Sequence, residues 1–145
     1  MLTLANGMRC TIASDPSLRR AECALTVGCG SLDDPDELEG LAHLAEHVTL
    51  ATDRAGVQRF IDDRQGDING YTAERTTTFY SQFDLSPGAS ALDEIREGCS
   101  RFGALYARAL SPDTASAPAA VVAQELERVD LELQATLNLI CLRLY

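Results

Sequence analysis

The chain carries two histidines, and they stand four residues apart with a glutamate between them, in His43-Leu44-Ala45-Glu46-His47. On a helix, positions i and i+4 lie about 40° apart, and Glu46 at i+3 falls roughly 60° to the other side of His43, so all three side chains can project from one face. Two imidazoles on one face make half of a zinc site. Catalytic zinc usually takes three protein ligands and keeps a fourth position for water, whose proton a neighbouring carboxylate can accept. The HxxEH order is the inverse of the HExxH metalloprotease motif. The competing reading is a surface helix that happens to hold two histidines. Gly40-Leu41-Ala42 in front of the motif and the apolar residues behind it weigh against that reading.

A third ligand has to come from another element. The last helical stretch, from about Ala119 onward, offers Glu125, Glu127, Asp130 and Glu132. With Val122 at 0° and about 100° per residue, Leu126, Val129, Leu133 and Ile140 fall within roughly 40° of it and define a buried stripe. Glu127 then lies on the solvent side. Glu125 and Glu132 both lie on the margin of the stripe, where a carboxylate needs a metal or a cation to offset its desolvation. Geometry leaves these two open, and either can instead pair with Arg128 or Arg143.

The elements that must hold these residues can be read from pattern. Leu2 to Ala13 reads as two short strand pieces around an Asn6-Gly7 turn. A second strand over Ala21 to Ser31 ends in glycines, where the backbone can bend or be approached closely. The acidic stretch Asp33-Asp34-Pro35-Asp36-Glu37 reads as a solvated loop whose charge favours the N-terminus of the histidine helix. A helix is predicted over Ala55 to Asp63, and the Thr, Tyr and Phe density of Gly66 to Leu85 predicts strand with a turn at Ala73 to Arg75. Ser90 to Leu110 carries Leu92, Ile95, Cys99, Phe102 and Leu105 or Tyr106 at the period of a helix packed on a sheet. Ser111 to Pro118 reads as a linker. No internal repeat stands out.

Composition narrows the function classes. At 145 residues the chain has the length of one domain, short for a complete protease with a closed chamber. It is 46% hydrophobic and 23% charged with a net charge of -10, and acids outnumber bases 22 to 12. Nucleic acid is therefore not an expected partner, because phosphate binding needs clustered Lys and Arg. No apolar run approaches a membrane span and residues 1–7 lack the pattern of a secretory signal, so a cytoplasmic location without membrane attachment is expected. Five cysteines, Cys10, Cys23, Cys29, Cys99 and Cys141, contain no CxxC pair and read as free thiols.

With these residues in hand, the chain resembles the inverzincin peptidase family M16, which includes pitrilysin, insulin-degrading enzyme and the mitochondrial processing peptidase. The family's Asn-Gly-Leu-Arg-like strand is matched by Asn6-Gly7-Met8-Arg9, and its glycine-ended strand by Val27-Gly28-Cys29-Gly30-Ser31. Its Gly-Leu-Ala-His-x-x-Glu-His helix is matched by Gly40 to His47. The family's third ligand lies some 75 to 80 residues further on in a Val-x-x-Glu context, and Val122-Ala123-Gln124-Glu125 stands there, so the resemblance selects Glu125 over Glu132. The family's Gly-x-x-Asn-Ala-x-Thr strand is matched by Gly66 to Thr72, followed by Thr77, Phe79 and Tyr80. Glu74-Arg75-Thr76-Thr77 also resembles the branch that trims the peptide precursor of pyrroloquinoline quinone.

The resemblance implies an α+β fold, an antiparallel or mixed sheet with helices on one face, as a truncated LuxS/pitrilysin-like metallopeptidase half-domain. Residues 1–145 would form the zinc-binding N-terminal portion of the peptidase domain. It implies one Zn2+ held by His43, His47 and Glu125, Glu46 as general base, and a peptide substrate paired along Asn69, Gly70, Tyr71 and Thr72 by strand addition. It also implies a second homologous domain or partner chain, in a heterodimer or homodimer, for full endopeptidase activity. The alternative is a non-catalytic subunit that binds peptide or scaffolds a processing complex. Three departures stand out: Pro118 occupies the position where relatives often place another glutamate, the stretch between His47 and Asn69 is shorter than usual, and the chain is short.

Overall fold

The computed structural model describes residues 1–51 and 54–109 of the chain. Strands β1 (Leu2–Thr3) and β2 (Arg9–Cys10) pair antiparallel across the Asn6-Gly7 turn, Leu2 opposite Cys10. Asn6 closes that turn through its side-chain oxygen, which accepts from the Met8 amide at 3.1 Å. The main sheet has three antiparallel strands in the order β3 (Arg20–Val27), β5 (Thr77–Asp84), β4 (Asp67–Thr72). Helices α1 (Leu41–Ala51), α2 (Arg54–Asp62) and α3 (Ala91–Ala109) complete the described fold, which is α+β as the sequence implied. No described helix is long and apolar enough to cross a membrane.

Strand periodicity sets which side chains meet the helices. On β5, Phe79, Ser81 and Phe83 point to one face, and across the pairing their neighbours Leu25, Cys23 and Ala21 on β3 and Ile68 on β4 face the same way. Val57, Phe60 and Ile61 of α2 and Phe102 of α3 close over them to form the core. Phe83 is fully buried and meets Phe60 edge to face, with centroids 5.3 Å apart and planes at 75°. Burying each such ring stabilises the domain by about 1.5–3 kcal/mol.

Helix α3 keeps Phe102 of its predicted apolar stripe on the sheet but turns the earlier residues of that stripe outward. Leu92 and Ile95 are exposed, as is Cys99, whereas Glu94 is half-buried and Gly98 and Phe102 are buried. The reason is contact distance. Gly98 offers only backbone against the Phe83 ring, where a Cβ would collide, so the helix comes close along the 94, 98, 102 row. Glu94 is usable on that row because it has partners. Its carboxylate accepts from the Ser86 amide and hydroxyl, both at 2.7 Å, and pairs with Arg64 at 3.2 Å, whose guanidinium stacks 4.0 Å from the Phe60 ring centroid. The Ser86 hydroxyl, the Ser86 amide and Arg64 together hold the Glu94 carboxyl below its ordinary range.

The same packing sets the behaviour of Cys23. Burial, and then the adjoining Cys99 thiol, push the Cys23 thiol up to about 12. In the unfolded chain a thiol titrates near 8.5. The folded state therefore holds its proton longer, so this group's contribution to stability is fully present below about pH 8.5 and is lost as pH rises through the folded value. At pH 8.5, iodoacetamide is expected to alkylate exposed Cys29 well ahead of Cys23 in the native protein, with the difference vanishing in urea. Equal native rates, read by peptide mass mapping, would contradict the packing of Cys23 beneath α3.

Candidate metal and peptide site

The histidine helix is built from its N-terminus. Asp34, in the acidic segment read as a solvated loop, turns back: its two carboxylate oxygens accept from the Gly40 amide at 2.9 Å and the Ala42 amide at 2.8 Å. These are amides of the helix start that no helical carbonyl can serve, and a negative charge there also complements the helix dipole. Asp33 similarly accepts from the Gly30 amide at 2.8 Å. The segment is thus partly a structural clamp. Its spacing from the helix hides it in the sequence, because a conventional capping residue sits immediately before the first turn.

Helix α1 packs on β4. Ala42 and Glu46 share the sheet-facing row and are buried, while His43 and His47, one position round, are half-buried. The two imidazole Nε2 atoms converge to 3.1 Å, with ring centroids 4.7 Å apart and planes at 70°. Two nitrogens bound to one tetrahedral zinc at about 2.0–2.1 Å lie about 3.3 Å apart, so the spacing and the donor type suit that ion. His43, Glu46 and His47 each bring a ligand-capable atom within 4.8 Å of the others, the group of this kind found among the described residues. Glu125, Glu127, Asp130 and Glu132, with the linker and final helix predicted around them, lie outside the described residues, as does Cys141.

The segment implied to meet the substrate is β4, an edge strand of the described sheet. Alternation divides its four candidates. Gly70 and Thr72 face α1 and are half-buried, whereas Asn69 and Tyr71 are exposed on the opposite face. The Asn69 side-chain oxygen accepts from the Gly70 amide at 2.9 Å. Thr72 does something the motif does not disclose: its hydroxyl donates to Glu46 Oε2 at 2.7 Å. The glycine end of β3 holds this strand's turn in place. The amides of Ser31 and Leu32 donate to the carbonyls of Ala73 and Glu74 at 3.0 and 2.8 Å, and a Cβ on Gly30 would strike that turn's backbone.

Comparison with known proteins agrees with this geometry. The family described as insulinase, peptidase family M16, matches residues 9–140. Coenzyme PQQ synthesis protein F of Pseudomonas putida is 41% identical over 93 residues, covering 61% of this chain and 12% of that protein. An insulin-degrading enzyme homolog of Dictyostelium discoideum is 32% identical over 134 residues, covering 89% of this chain and 13% of the relative. The crystal structure of pitrilysin superposes with a TM-score of 0.52 at 27% identity, covering 63% of this chain and 10% of pitrilysin. The chain thus spans about an eighth of the length of the curated relatives it matches. An HxxEH helix seated on an edge strand, in a chain matched by that family over nearly all its length, belongs to the insulinase family of peptidases.

Proposed function

We propose that the chain is the zinc-binding module of an endopeptidase, with His43, His47 and Glu125 holding one Zn2+ and Glu46 serving as general base. The observation that carries this reading is the convergence of the two Nε2 atoms at 3.1 Å beside a buried carboxylate. When bound, zinc supplies a Lewis acid that polarises a peptide carbonyl and lowers the pKa of water toward neutrality. Glu46 takes the proton released by the attacking water on a carboxylate oxygen and returns it to the departing amine. Its burial keeps that oxygen in a low-dielectric setting, where the proton transfer is not competed by bulk solvent. The substrate peptide lies along β4, pairing through backbone, a mode that accepts many sequences. Completion of the cleft by a second homologous domain or a partner chain is part of the proposal, and the short coverage of the relatives supports it.

The test is metal analysis of the purified chain, followed by peptide hydrolysis with and without further domains or partner chains. One zinc per chain, removable by a chelator together with activity, is the expected result. A chain that never binds zinc would make it a non-catalytic, peptide-binding subunit instead.

A further inference from the structure

Glu46 has to present a carboxylate beside the paired imidazoles, yet a glutamate side chain has three rotatable bonds. Burial alone does not choose among the conformers these allow. A contact from β4 does. The Thr72 hydroxyl donates to Oε2 at 2.7 Å, which fixes one oxygen. Gly70, two residues earlier on the same face, lies beside the other oxygen, its ideal Cβ position 3.1 Å from Oε1.

We infer that Thr72 is a positioning residue for Glu46, its hydroxyl holding the carboxylate in one orientation beside the paired imidazoles. The inference rests on the reading of Glu46 as the base only for its kinetic consequence. The hydrogen bond itself does not need metal. A hydroxyl donating to a carboxylate also stabilises the charged acceptor against its burial, which an isosteric apolar side chain cannot do.

Melting of the full chain in the presence of chelator tests the contact without zinc or activity. Thr72→Val is expected to lower the melting temperature by about 5 °C in the wild-type background and to change it little in a Glu46→Met background. Thr72→Ser, which keeps the hydroxyl, should melt with the wild type. Additive effects in this cycle, or a Thr72→Ser protein as unstable as Thr72→Val, would overturn the inference. In the zinc-loaded form that hydrolyses peptide, Thr72→Val is expected to lower kcat roughly tenfold with KM and zinc content unchanged, and Thr72→Ser to restore kcat. A change confined to KM or to zinc content would assign Thr72 to substrate or metal instead. A wild-type chain without zinc overturns the metal reading while leaving the melting cycle readable, so the two failures are told apart.

Discussion

Glu46→Gln is expected to retain one zinc per chain and to lose hydrolysis by a factor of about 10^2 to 10^4, the range over which a positioned general base acts. The substitution preserves shape, and its amide oxygen can still accept from the Thr72 hydroxyl, so the side chain keeps its place while losing the ability to take a proton. Loss of kcat at constant zinc content is therefore the signature of a base rather than a ligand. The measurement is initial-rate cleavage of a quenched fluorescent peptide, paired with metal analysis of the same preparation. It should be made in whatever assembly supports cleavage by the wild type. Hydrolysis retained by this variant would remove Glu46 from the mechanism.

The second large effect concerns the ligand set. Glu125→Ala is expected to weaken zinc binding by more than about a hundredfold in chelator competition, since even the groups that merely orient ligands are worth 10–100-fold. His47→Ala should do at least as much, because it leaves one imidazole where two now converge. Glu132→Ala should leave zinc affinity at the wild-type value. The contrast between the two glutamates is the informative part. The sequence pattern puts both on the margin of one apolar stripe, so helical phase does not separate them, and only the spacing shared with relatives favours Glu125. Loss of zinc on Glu132→Ala with Glu125→Ala unaffected would reverse the assignment.

Much of the site was legible because its logic is local. The i, i+4 spacing of His43 and His47 places both rings on one helical face whatever the rest of the chain does, and the structure brings their nitrogens together at 3.1 Å. The Asn6-Gly7 hairpin, the β4–β5 turn and the positions of the three described α-helices likewise follow from turn chemistry and periodicity. The misplaced expectations share a cause. The apolar residues of helix α3 predict one phase, but a glycine against a phenylalanine ring and a glutamate held by Ser86 and Arg64 outweigh Leu92 and Ile95 in choosing the packed face. The acidic run around Asp34 reads locally as a solvated loop, yet chain reversal brings the Asp34 carboxylate onto the amides that open α1.

Periodicity alone places the histidine pair with its neighbouring glutamate on one helical face and orders the elements around it, because helical and strand periods are set by covalent geometry within a few residues. The orientation of Glu46 and the division of β4 arise from packing between elements distant in the chain. Thr72 reaches Glu46 across 26 residues of chain, through the register that places Thr72 opposite Thr77 and the docking of α1 on that strand. Shifting the register by one residue would turn Asn69 and Tyr71 toward the helix and Gly70 and Thr72 away. No local pattern encodes that choice; it is made by the buried row of Ile68, Phe79 and Phe83, which can face the helices in one register alone.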